Sequence, residues 1–99
     1  VERRLVGLMN SQNSDVRLYT RRWCTYCVAA RRLLTKLEIE FDEIPLDKNP
    51  ELRRSLSQAN DRWPTLPMIF IGDLFVGGYR ELSRLKKSRE LGTLLEGTG

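Results

Sequence analysis

Between Val16 and Thr20 the chain alternates in character, Val16-Arg17-Leu18-Tyr19-Thr20, which marks a strand. Past Trp23 the period lengthens. Tyr26, Ala30, Leu33, Leu34 and Leu37 share one helical face while Arg31, Arg32 and Lys36 lie away from it, so a helix laid against a sheet is predicted over 26–37. Ile39 to Leu46 reads as a second strand, with a slip of apolar phase between Phe41 and Ile44 that predicts a bulge or burial on both faces. Asn49-Pro50-Glu51 supplies an N-cap, a proline at the first helical position and an acid in the first turn, and Leu52, Leu56 and Ala59 continue that helix. After the polar loop Asn60 to Pro64, Met68–Ile71 and Leu74–Val76 flank the two-residue turn Gly72-Asp73, an antiparallel hairpin. Beyond Gly77-Gly78, Leu82 and Leu85, then Leu91, Leu94 and Leu95, indicate one or two short terminal helices.

The order is β-α-β-α-β-β-α, an α/β class. A first crossover makes a parallel pair, and the hairpin completes a four-stranded mixed sheet flanked by helices on both faces. Ahead of it, Val1, Leu5, Leu8 and Met9 fall at helical spacing and Asn10 to Ser14 forms a polar linker. The division is therefore an N-terminal extension, 1–14, and one domain, 15–99. A helix as short as 1–9 is marginal without a surface to pack on.

Composition adds limits. A chain of 99 residues builds one domain with a modest core. Seventeen Lys and Arg against thirteen acids give a net charge of +4, with arginine pairs at 3-4, 21-22, 31-32 and 53-54. That balance favours anionic partners, although a solvated surface accounts for most of these arginines. No basic stripe is interleaved with aromatics, so no nucleic-acid partner is expected. No apolar run approaches the roughly 20 residues of a membrane helix, and the stretch after Val1 is too short for a secretory core, so no membrane partner is expected either. A reducing, cytoplasmic setting fits best.

Cys24 and Cys27 are the only cysteines. At C-x-x-C spacing, after a strand and at the head of a helix, they read as a redox dithiol whose sulfurs come within bonding reach. Zinc would need two more soft ligands, and the chain has no other Cys and no His. A purely structural disulfide here would close too short a loop to gain much. The first thiol would attack. Helix-end amides and nearby Arg21 or Arg22 are expected to lower the Cys24 pKa from about 8.5 into the range of roughly 3.5 to 7.5.

Three motifs together, Cys24-Thr25-Tyr26-Cys27, Thr65-Leu66-Pro67 and Gly77-Gly78, closely resemble the glutaredoxin family of the thioredoxin-like fold, over about Asp15 to Glu96. Thioredoxins proper resemble it less, having Cys-Gly-Pro-Cys and no paired glycines. The resemblance implies a glutathione-dependent thiol-disulfide oxidoreductase acting on glutathione mixed disulfides and on disulfide-containing proteins. Cys24 would be the nucleophile and Cys27 the resolving thiol. It implies a glutathione site drawn from Arg21, Tyr26, Arg54, Thr65, Leu66, Pro67, Gly78, Tyr79 and Arg80, with Pro67 cis. Arg53 could serve in place of Arg54, and Trp63 is read as a loop anchor. Two departures stand out. Arg21 occupies a place where relatives commonly have Lys. Arg80-Glu81 replaces their Ser or Asp followed by Asp, which directs Arg80 itself to the γ-glutamyl carboxylate. An alternative follows from Thr25, the small hydroxylated residue of cluster-binding relatives: a [2Fe-2S] cluster shared by two protomers, ligated by Cys24 and two glutathiones. The protein would then be a dimer, and otherwise a monomer. A third reading is a thioredoxin-type reductant serving one partner.

Overall fold

The structure, a computed structural model, describes residues 16–98. The helix predicted over 1–9 lies outside them. The elements are β1 (Val16–Thr20), α1 (Thr25–Lys36), β2 (Asp42–Pro45), α2 (Pro50–Ala59), β3 (Met68–Ile71), β4 (Leu74–Gly77), α3 (Tyr79–Ser88) and α4 (Glu90–Thr98). The sheet runs β2-β1-β3-β4, with β1 parallel to β2 and antiparallel to β3, and β3 antiparallel to β4. This is the predicted four-stranded mixed sheet.

Strand alternation divides the core into two layers. Val16, Leu18, Ile69 and Ile71 pack with Ala30, Leu34, Leu82 and Leu91 of α1, α3 and α4. On the other face Tyr19, Met68 and Phe70 gather with Cys24, Cys27, Leu46 and Leu66, and α2 adds Leu52 and Leu56. Helices thus cover both faces, and all four residues of the inner strand β3 are buried, as a strand covered on both sides requires. The cysteine motif lies beyond the carboxyl end of β1, where open α/β sheets form their crevices.

Sequence and structure differ in two places. Tyr26 was expected on the buried face of α1, yet it is 58% exposed, and Cys27, Ala30 and Leu34 form the buried stripe. The polar thiol takes the core position and the ring turns outward. The second strand is also shorter than predicted. The N–H groups of Leu37, Glu38 and Ile39 fold back on the carbonyls of Leu33, Thr35 and Leu34, with Glu38 at φ 60°. Ile39 and Phe41 therefore pack on the α1 layer from a turn, before β2 starts. The slip between Phe41 and Ile44 falls where β2 begins, and the sheet's register shift lies instead between Ile69 and Phe70, opposite β4.

The start of α2 follows its sequence signal. Asn49 Oδ1 accepts the Leu52 N–H at 3.1 Å, with Pro50 as the first helical residue. The chain ends in two helices, separated at Arg89, whose φ is 67°.

Candidate active site

Between β1 and α1 the chain makes a tight loop. The Arg22 N–H donates to Asp47 Oδ1 at 3.0 Å, anchoring the loop to the segment after β2. Trp23 adopts φ 54° with its side chain 92% exposed. Cys24 then occupies the N-cap of α1 in extended backbone, and its Sγ accepts the Cys27 N–H at 3.3 Å. This is a cap made by sulfur where oxygen is usual. The Cys24 thiol also donates to the Leu66 carbonyl at 3.5 Å. Both thiols are free, and the first turn of α1 carries no acidic residue. A negative charge on Cys24 would therefore meet helix-end amides with no carboxylate in that turn to oppose it.

The two sulfurs differ in surroundings. Cys24 keeps 5% exposure and Cys27 none. Burial pushes the Cys27 thiol up to about 12, and the hydrogen bond and charge of Cys24 add to that, while an Arg21 backbone amide and the Arg21 charge act the other way. Cys27 is thus held as the neutral thiol near neutral pH.

The facing wall comes from the loop before β3 and the start of α3. The Leu66-Pro67 peptide bond is cis, both residues are buried, and Thr65 is exposed. A Cβ on Gly78 would lie 3.6 Å from the Pro67 carbonyl oxygen and 3.7 Å from the Trp63 ring. The second of the twin glycines therefore lies close against the proline backbone. Glu81 Oε1 accepts the Gly78 N–H at 2.9 Å and caps α3. Tyr79, the first residue of α3, stacks on Tyr26 of α1 with ring centroids 6.3 Å apart.

The structure thus brings Cys24, Cys27 and Leu66 into direct contact, seats Pro67 beside Gly78, and joins the two helix starts through Tyr26 and Tyr79. Arg21 is exposed, with its Nη1 donating to the Arg22 carbonyl at 3.1 Å, and it is close enough to act on Cys27. Arg80 is exposed and makes no ion pair among the described residues. Arg54 is exposed and lies two positions past the inward-facing Leu52, on the opposite side of α2, and Arg53 is exposed as well. Trp63, half-buried, meets Phe75 edge-on at 5.2 Å, which fits the loop anchor. Sequence reasoning missed the capping role of Glu81. The spacing Gly78-x-x-Glu81 ahead of an apolar helix face was its signal.

A family model described as Glutaredoxin matches residues 16–76, which span both cysteines, the proline-led strand and most of the hairpin. The chain belongs to the glutaredoxin family. A glutaredoxin from Pseudomonas aeruginosa is 40% identical over 78 residues, 79% of this chain and 92% of that relative. Among solved structures, the glutaredoxin of Brucella melitensis aligns with a TM-score of 0.75 at 40% identity, covering 85% of this chain and 90% of that one. Buckwheat glutaredoxin, solved as its glutathione complex, aligns with a TM-score of 0.79 at 24% identity over 99% and 94% of the two chains, a likeness of fold. As a glutaredoxin the protein has the thioredoxin-like fold and is a thiol-disulfide oxidoreductase.

Among the described residues no helix is long and apolar enough to cross a membrane. Nor do three or more His, Cys, Asp or Glu side chains converge there as a metal site. A [2Fe-2S] cluster takes four ligands, and with two cysteines and no histidine this chain's own residues would not complete that shell.

Proposed function

We propose that this glutaredoxin uses glutathione to reduce glutathione mixed disulfides and protein disulfides, with Cys24 as nucleophile and Cys27 as resolving thiol. The observation that supports this most is the inequivalence of the sulfurs. One sits at a helix end accepting an N–H, and the other is buried and held as a thiol. Thiol-disulfide exchange asks for one attacking thiolate and one reserve thiol.

With a glutathionylated protein, the Cys24 thiolate attacks the glutathione sulfur, and the protein's own sulfur leaves as a thiolate and takes a proton. A second glutathione thiolate then attacks the sulfur of the bound glutathione, releasing glutathione disulfide and restoring Cys24. This route needs one cysteine. With a protein disulfide, Cys24 forms a mixed disulfide with the target, and Cys27 gives up its proton and attacks Cys24. The target leaves reduced, and two glutathiones later reopen the Cys24-Cys27 bond.

The same reading assigns the ligand's contacts. The backbone of Leu66, ahead of Pro67, pairs with the cysteine moiety of glutathione in a short strand-like contact, beside exposed Thr65. Glu81 already takes the Gly78 N–H, which leaves the amides of Tyr79 and Arg80, first and second in α3, for the γ-glutamyl carboxylate, with the free Arg80 guanidinium as a further donor. Gly78 keeps that approach open, Arg21 adds positive charge beside the sulfurs, and Tyr26 covers the ligand. Arg54 is left for the glycine carboxylate, reaching from the exposed side of α2. The partners are glutathione and glutathionylated or disulfide-containing proteins, met by a monomer in a reducing, cytoplasmic setting.

The test is turnover of a glutathionylated peptide by wild type, Cys24→Ser and Cys27→Ser in the presence of glutathione. Cys24→Ser is expected to lose turnover and Cys27→Ser to keep it. Equal loss in both variants would overturn the one-cysteine route.

A further inference from the structure

On the α1 side of the sheet three polar side chains meet, Thr20 buried and Arg31 and Glu43 partly exposed. Glu43 of β2 accepts from Arg31 twice, Nε to Oε1 at 3.0 Å and Nη2 to Oε2 at 2.8 Å. Its Oε2 also accepts the Thr20 hydroxyl at 2.9 Å. Thr20 is 2% exposed and is the last residue of β1, immediately before the loop that carries Cys24. Its carbonyl accepts the Leu46 N–H at 2.8 Å, so its backbone is fixed as well. Arg31 stands four residues after Cys27 in α1, one turn along the same side of the helix. One carboxylate thus ties together the strand that enters the motif and the helix that leaves it.

We propose that Glu43 is a positioning residue for the dithiol: by gripping Arg31 in a two-pronged ion pair it limits how much positive charge the Cys24-Cys27 pair feels, and so sets the redox equilibrium of that pair. The guanidinium responds to the sulfurs in the direction this requires. Arg31 is raised above the ordinary arginine value first by its hydrogen bond to Glu43 and, as smaller effects, by negative charge on Cys27 and Cys24. Attraction is mutual, so a cation that a thiolate stabilises also stabilises the thiolate. The disulfide form has no such charge to stabilise. Freeing Arg31 from its counter-charge therefore favours the reduced pair, and removing Arg31 favours the disulfide.

Equilibration with dithiothreitol and its oxidised ring tests this on the whole protein. Oxidation joins the two protein sulfurs. Their two electrons pass to oxidised dithiothreitol, whose S–S bond opens, and its two thiols take protons from Cys27 and from Cys24 or, where Cys24 is a thiolate, from water. Glu43→Gln is expected to shift the equilibrium about threefold toward the dithiol, and Arg31→Met about threefold toward the disulfide, the size expected of a partly solvated charge one helical turn away. The double variant Arg31→Met/Glu43→Gln restores local neutrality and is expected to return close to wild type. It also leaves neither member of the ion pair without the other, so the comparison survives if one single variant folds poorly. A purely structural brace would move both single variants the same way. Shifts of one sign in both, or none in either, or a double variant as displaced as a single, would overturn the proposal. No glutathione enters this equilibrium, so failure of the glutathione reading and failure of this one are read separately.

Discussion

The Glu81 carboxylate accepts the Gly78 N–H at 2.9 Å, and the Cγ of the same side chain lies 2.9 Å from where a Cβ would stand on Gly77. A single residue therefore caps α3 and fills the space beside the first of the twin glycines. Gly77 sits at φ +118°, a backbone region that L side chains rarely adopt. Gly77→Ala meets both obstacles and is expected to cost about 1–3 kcal/mol, measured by chemical denaturation. Glu81→Ala relieves the crowding but removes the cap, which costs about 1 kcal/mol. If strain and crowding both act, the double variant is less destabilised than the sum of the two singles.

The buried Cys27 thiol predicts a loss of stability in alkali. A cysteine with ordinary surroundings titrates at 9.0, and in the folded protein Cys27 is pushed up to about 12, first by burial and then by Cys24. Below pH 9 both states hold the proton and the contribution is fully present. Between 9 and 12 the unfolded chain releases it while the fold retains it, so unfolding becomes easier by up to about 1.4 kcal/mol per pH unit. Denaturation of the reduced protein followed from pH 8 to 11 should show this slope, and Cys27→Ala should flatten it. Parallel curves for the two proteins would contradict the assignment.

Arg80 is a cation in the first turn of a helix, where the helix dipole disfavours positive charge, and among the described residues it has no ion-pair partner. Replacing it with Ser should therefore leave stability unchanged or slightly improved. On the proposed reading, the same variant raises the KM for glutathione about two- to fivefold, as for an exposed charge pair, and weakens the salt dependence of that KM. An unchanged KM at low salt would remove Arg80 from the ligand site.

Much of this architecture can be read along the chain wherever local chemistry and burial agree. Val16 to Thr20 carries an alternating strand signal in which Arg17 is the one partly exposed position, and Asn49-Pro50 starts α2 by capping and fixed φ, a local effect. The hairpin around Gly72-Asp73 is local in the same way. The readings that failed depend on long-range packing. Apolar character alone sends Tyr26 inward, but Tyr79, fifty-three residues later, offers its ring a surface partner, and the smaller Cys27 fills the interior position. Ile39 and Phe41 are apolar and buried in part, yet the chain closes a turn on α1 through the Ile39 N–H and reaches β2 only after Phe41, a distinction that hydrophobicity does not encode.

The candidate site was legible in its sulfur, proline and glycine positions, because each of those residue types has a conformational or chemical signature of its own. Arginine has none. Arg31, read only as part of a solvated pair, is held by Glu43, while Arg53 and Arg54 of another arginine pair are both exposed on α2. What separates them is the residue that each meets across the fold, and that is a property of the tertiary structure.

The left-handed turn at Trp23 has an optical consequence. Its side chain is 92% exposed, one residue from Cys24, whereas Trp63 is half-buried, edge-on to Phe75, with its Nε1 buried and unpartnered. The two tryptophans therefore emit from unlike surroundings, Trp23 at longer wavelength than Trp63. Emission of the unlabelled protein thus reports separately on the surface beside Cys24 and on the loop packed against Phe75.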